Sequence, residues 1–237
     1  MARARAVSTE RVPFRTDSFI EDEAQQLVND WFARKGEPVT WPIPVEDIIE
    51  FQLELAFYIA DLQAELGHPD VLGGIWFGSR EIKVDKSLEY EENPKMRGRY
   101  NFTLAHEVGH WCLHKDVLAA DPSAMHLFEK NSEPAFVCRS ATKPREEIQA
   151  DLFAGYLLMP RQLVYDAWQQ WHGNDDPVRI GDLPIGNYHG NRDADRNMAM
   201  DLFARPLAEL FHVSGQAMRI RLQKLELLVE EITPKLF

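Results

Sequence analysis

The stretch Asn101-Phe102-Thr103-Leu104-Ala105-His106-Glu107-Val108-Gly109-His110 constrains this chain more than any other. It contains H-E-x-x-H. On a helix, His106 and His110 stand four residues apart on one face, so two imidazoles can grip a single Zn²⁺ at about 2.0–2.1 Å. Glu107 lies beside them, placed to take a proton from a water at the metal. So short a motif also arises by chance. Its weight depends on whether the chain supplies a third ligand, support for the ligands and a scaffold that buries them.

A hydrolytic zinc site takes three protein ligands and keeps one position open. His114 continues the stripe of His106 and His110. Eight residues of helix span about 12 Å, too far for one ion to meet both ends. His114 is therefore expected to be structural or to line the mouth. A second helical pattern runs from Arg145 to Met159 and places Glu147 and Asp151 four apart. Ala150, Ala154 and Leu158 share that face. A carboxylate on a core-facing stripe is costly unless it is paired or bound to metal, so Glu147 is the expected third ligand. Asp151 reads either as an acceptor for the N–H of a ligand histidine or as a surface ion-pair partner. Glu146 reads as a solvated acid favoured by the helix dipole.

Length and composition bound the rest. The 237 residues, 45% hydrophobic, suffice for one domain with a full core. Net charge is −12, with 38 acidic against 26 basic residues, which disfavours a broad nucleic-acid face. No window is long and apolar enough to span a bilayer, and the first residues lack the apolar run of a secretory signal. Two cysteines, Cys112 and Cys138, make no disulfide framework. Cys112 reads as a small core residue and Cys138 as a loop thiol, exposed or half-buried. A cytoplasmic protein is expected.

Along the chain, residues 1–16 read as a flexible basic tail and 17–237 as one domain. A helix is expected from Asp17 to Lys35, stopped by Gly36. A short helix over Val45–Phe51 and a strand-like run over Leu53–Ile59 follow. Leu72–Phe77 and Arg80–Val84 read as a hairpin. The motif helix is expected from Tyr100 or Asn101 to about His114, and the stretches 115–144 and 172–195 are expected to be irregular. Pro160 opens a helix reaching about Trp171. Two last helices, about Asn197–Phe211 and Gln216–Glu231, flank Val213-Ser214-Gly215. The segment from about 205 to 231 thus has the form of a helix-turn-helix, with Arg219, Arg221 and Lys224 as its positive charge.

Four ordered segments carry a family resemblance. Phe102–His110, then Glu147-x-x-Ala150-x-x-Phe153-Ala154, then Leu157-Leu158-Met159-Pro160, resembles the ImmA/IrrE metallopeptidases. The run Leu207–Met218 followed by Arg221-Leu222 is similar to the same family, and the resemblance spans roughly residues 40–225. It implies one zinc per chain, with His106, His110 and Glu147 as ligands and Glu107 as catalytic base. It implies an α+β, zincin-like single domain, a small three-stranded sheet packed on the HExxH helix with several further helices. The Glu147/Asp151 spacing is similar to that of gluzincins, whose aspartate orients a ligand histidine. The implied activity is endopeptidase cleavage of a protein, a helix-turn-helix repressor in a stress-response or mobile-element system. From charge and the lack of a long apolar window, neither direct nucleic-acid binding nor membrane binding is expected. Asn101 departs from the family, which often has a basic residue there, and the two irregular stretches are longer than its pattern.

Tyr156, Tyr188, His189 and His212 are the residues expected to offer an oxyanion donor. An extended substrate would add to the sheet edge near Leu72–Phe77. The competing reading is a non-enzymatic regulator that uses the same fold to bind DNA or a toxin–antitoxin partner.

Overall fold

The computed structural model describes residues 12–130, 133–138, 144–184 and 192–231. They pack as two compact units. One takes the chain up to Val39 and again from Ile43 to Leu158; the other takes Thr40–Pro42 and the chain from Met159 onward. Both units draw on the stretch 17–237 expected as one domain.

In the first unit, α1 (Asp17–Lys35) forms as its apolar spacing requires, burying Ile20, Ala24, Val28, Trp31 and Phe32. Thr16 caps it: Thr16 Oγ1 accepts from Phe19 N at 3.2 Å. Gly36 closes it in the left-handed region at φ 67. Residues 12–16 are therefore not part of a free tail. Val12 is buried, and the Arg145 and Gln149 side chains donate to the Val12 and Pro13 carbonyls at 3.3 and 2.9 Å.

Next come α2 (Val45–Asp47), which runs into a π turn at Ile48–Gln52, β1 (Ala56–Ala60), α3 (Leu62–Leu66), β2 (Gly73–Trp76) and β3 (Glu81–Asp85). Then follow the motif helix α4 (Arg97–Ala119), β4 (Phe136–Cys138) and α5 (Arg145–Leu158). α4 outruns its expected bounds at both ends, since Tyr100 and Leu118 both enter the core. The sheet has four strands, not three, in the order β1-β3-β2-β4. β4 lies inside the stretch expected to be irregular. Three residues are too few for a period-2 signal, so only pairing with β2 reveals it.

Alternation decides what each face of the sheet meets. β1 and β3 run parallel, while β2 is antiparallel to β3 and β4, with Gly73 opposite Cys138 and Ile75 opposite Phe136. Gly73 faces α4, where a Cβ would lie 2.6 Å from Thr103 Cγ2. Trp76 packs on the other face with Leu62 of α3 and Val137 of β4.

The second unit holds α6 (Arg161–His172), β5 (Val178–Arg179), α7 (Arg192–Leu210), α8 (Gly215–Lys224) and β6 (Leu228–Val229), with β5 and β6 parallel. Ser214 caps α8, accepting from Ala217 N at 3.1 Å. α8 stops well short of Glu231. Leu227 N donates to Leu222 O at 2.9 Å and Glu226 N to Gln223 O at 3.1 Å, with Glu226 at φ 58. That is a Schellman closure formed on a glutamate, without the glycine that would mark it in the sequence. Two of the three cations expected on this helix are spent internally. Arg219 Nε donates to Asp201 Oδ1 at 2.6 Å, and buried Arg221 donates to Met159 O at 2.9 Å.

Candidate metal centre

Small residues bring the two chemistry-bearing helices together. A Cβ on Gly109 of α4 would sit 3.1 Å from Ala150 Cα of α5, so the absence of a side chain there sets the close approach. That approach lets carboxylates of α5 reach histidines of α4. His106 Nε2 lies 3.0 Å from His110 Nε2, 3.2 Å from Glu147 Oε2, and His110 Nε2 lies 3.3 Å from Glu147 Oε1. Ligand bonds of about 2.0–2.1 Å at tetrahedral angles put donor atoms about 3.3 Å apart. Two neutral imidazoles and one carboxylate at this spacing match the donor set of a hydrolytic zinc site. His106, His110 and Glu147 thus fit one metal ion.

A layer of hydrogen bonds sets the ligand tautomers. His106 Nδ1 lies 3.0 Å from Asp151 Oδ1. The carboxylate can only accept, so Nδ1 carries a proton and Nε2 is the nitrogen left to bind a metal. A longer chain does the same for His110. Gln149 Nε2 donates to the Pro13 carbonyl, which turns Oε1 toward His114 Nε2 at 3.0 Å. His114 Nε2 must then donate, leaving its Nδ1 to accept from His110 Nδ1 at 3.0 Å. Burial pushes His114 down to about 3 and His110 down to about 4, so both stay neutral. His114→Leu removes the acceptor for His110. It is expected to lower metal affinity about 10–100-fold, read by competition against a chelator, with the helix content unchanged.

Glu107 is fully buried, and neither carboxylate oxygen has a hydrogen-bond partner among the described residues. A Cβ on Gly73 would stand 2.9 Å from Glu107 Oε1, so glycine on β2 makes the space this carboxylate occupies. Burial pushes Glu107 up to about 8. Burial alone would lower His106, but its bonds to Asp151 and Glu147 outweigh that and hold it near 10. Burial opposes ionisation of Glu147, yet the hydrogen bonds from His106 and His110 carry it well below the usual carboxylate range.

In the metal-free protein His106 is therefore protonated at neutral pH, and a metal must displace that proton. Metal affinity is expected to rise by about tenfold or more per pH unit below about 10, with proton release on uptake seen in calorimetry across buffers of different ionisation heat.

The structure brings together His106, His110 and Glu147, with Glu107 beside them and Asp151 behind His106. His114 is buried rather than at a mouth, against the Phe136 ring and one step behind His110. Glu146 does not have the solvated place expected of it. Glu146 is only 3% exposed, and burial raises its carboxyl. Tyr156 faces α1, its hydroxyl 3.4 Å from Asp17 Oδ2. It stands nine residues beyond Glu147, half a turn around α5. His212 belongs to the second unit, at φ 53 in the turn after α7. Tyr188 and His189 lie outside the described residues.

Sequence reasoning did not place Gln149, Phe136 or Cys138 at the site. Phe136 stacks on the His110 ring at 4.0 Å and 8°, and the ligand atoms of Cys138, His106 and Glu107 lie within 4.8 Å of one another. The β2 edge expected to take a substrate strand is also paired: β2 has β3 on one side and β4 on the other. Among the described residues, no helix is long and apolar enough to cross a membrane.

Residues 78–223 match the model of the Peptidase_M78 family, described as the IrrE N-terminal-like domain. No curated protein matches the chain. Among solved structures, a chain described as a Mycobacterium tuberculosis transcriptional regulator is similar at 16% identity and a TM-score of 0.46, over 87% of this chain and 48% of that one. This chain therefore spans about half the length of that regulator. The family match takes in more than half of the 237 residues, including the H-E-x-x-H helix and Glu147, and the chain belongs to the Peptidase_M78 family, which is of metallopeptidase type.

Proposed function

We propose that this protein is a zinc-dependent endopeptidase acting on a protein substrate in the cytoplasm. The observation that carries the reading is the donor triangle of His106, His110 and Glu147, with the unpartnered Glu107 carboxylate against it. A zinc ion held there supplies Lewis-acid chemistry, polarising a peptide carbonyl and acidifying water. Glu107 accepts a proton from the attacking water and returns it to the leaving amine. Its burial suits both steps, because a carboxyl pushed up to about 8 holds a proton more readily at neutral pH than an exposed one. Asp151 and the His114–Gln149 chain hold the two imidazoles in the tautomer that presents Nε2.

The resemblance to the ImmA/IrrE metallopeptidases makes a helix-turn-helix repressor the proposed substrate class, and a stress-response or mobile-element circuit the proposed setting. DNA contact by α8 has less support, since Arg219 and Arg221 are engaged within the second unit. The test is incubation of the zinc-loaded protein with the repressor encoded beside it. Cleavage is expected at one or few bonds, abolished by chelator and restored by zinc. Intact repressor under all three conditions would refute the assignment.

A further inference from the structure

We propose that the segment ahead of α1, Val12–Pro13, is a working part of the metal centre: the Pro13 carbonyl, acting through Gln149 and His114, sets which ring nitrogen of His110 carries the proton, so displacing the segment weakens metal binding. The inference rests on the three-ligand site of the proposed function and adds to it a control from outside the ligand helices.

The ring proton of His110 is contested. A neutral imidazole has one N–H to place. Glu147 Oε1 lies 3.3 Å from His110 Nε2. In the metal-free protein that carboxylate, which only accepts, draws the proton to Nε2, the nitrogen a metal needs. On the other side of the ring, His114 Nδ1 lies 3.0 Å from His110 Nδ1. His114 is buried and also has one proton to place, so it gives or takes at that contact according to what its own Nε2 meets. It meets Gln149 at 3.0 Å. An amide side chain can present either its oxygen or its NH₂. With the NH₂ toward His114, Nε2 would accept, Nδ1 would donate to His110, and His110 would carry its proton on Nε2. The Pro13 carbonyl removes that choice. It too only accepts, and Gln149 Nε2 donates to it at 2.9 Å, so the amide oxygen must face His114.

Gln149, His114 and His110 are all buried, where a mismatched donor or acceptor is costly. The polarity fixed at Pro13 therefore carries through three hydrogen bonds to the ligand. The far end of this chain is accessible. Pro13 and Phe14 are exposed. The segment is held by the buried Val12 side chain and by the bonds from Arg145 and Gln149 to the Val12 and Pro13 carbonyls. Lifting it from α5 frees the Gln149 amide to turn, and Glu147 then claims the His110 proton at the nitrogen that should bind the ion.

The test compares the full wild-type chain with Val12→Asp, which puts a charge where the segment's anchor is buried, and with Gln149→Leu, which removes the relay. Zinc affinity, read by competition with a chelator, is expected to fall about tenfold in each. The double variant is expected to fall no further than Gln149→Leu alone, because both changes act through one chain. In the metal-free proteins, ring-nitrogen NMR shifts are expected to show His110 protonated at Nδ1 in wild type and displaced toward Nε2 in both single variants. If Val12→Asp does not fold, Val12→Ala carries the same comparison. Unchanged affinity, additive losses, a wild type protonated at Nε2, or affinity lost with the His110 tautomer unmoved each overturns the inference and leaves the three-ligand site standing. A wild-type chain that takes up no zinc overturns both.

Discussion

Glu107→Gln is expected to slow peptide-bond cleavage about 10²–10⁴-fold, the usual share of a general acid–base residue, while metal content stays at one ion per chain. The separation of the two readouts follows from geometry. His106, His110 and Glu147 form the donor triangle without Glu107, and glutamine keeps the shape of the space that Gly73 leaves. The same change is expected to stabilise the metal-free protein. Glu107 is pushed up to about 8 by burial, so between its unfolded value and about 8 the unfolded chain loses this proton before the folded one does. Stability then falls as pH rises through that window. Glutamine has no charge to desolvate, so the variant's advantage over wild type should widen as pH rises from 5 to 8, seen as a growing difference between the two denaturant midpoints. A variant that cleaves at the native rate would remove Glu107 as the base. One that loses its metal would show that Glu107 has a structural part in the site.

Glu147→Gln is expected to cost metal affinity by more than about a hundredfold, since even residues that only support a ligand cost about 10–100-fold. Glu147 brings the negative charge of the donor set and reaches both histidines, at 3.2 and 3.3 Å. Glutamine keeps an oxygen donor but not the charge. The measurement is the rise in melting temperature with added zinc. Wild type should be stabilised by mass action and the variant barely so at the same free zinc. The folded variant also loses an ion-pair partner for His106, which should bring that imidazole down from about 10 in an NMR titration. Retained affinity would move the third ligand elsewhere, with Asp151 the nearest carboxylate on the same helix face.

How much of this was legible in the chain divides along a physical line. α1, the β2–β3 hairpin, α5 and α6 follow from apolar periodicity and from caps such as Gly36 and Pro160, all local signals. The ends of α4 and α8 do not. α4 continues because Leu118 finds a core, and α8 stops on a glutamate in the left-handed region. β4 carries no local signal at all. Phe136 and Cys138 reach the site only because β2 gives them a partner more than sixty residues earlier in the chain. Glu146 and Val12 misled in the same way. Each looked solvated or free, and each is buried in the folded chain.

The H-E-x-x-H spacing by itself determined that His106 and His110 share a face with Glu107 beside them, because a helix turn converts a four-residue interval into adjacency. The Glu147/Asp151 interval did the same on a second helix. The tertiary structure decided everything that depends on the distance between those helices and the sheet. It made the triangle of donors about 3 Å on an edge, ordered the Pro13–Gln149–His114–His110 chain, and turned Cys138 toward the site. Helical spacing is a property of one segment and can be read along the chain. The contact between segments is set by Gly109 against Ala150 and by β4 against β2, where backbones meet that are far apart in sequence.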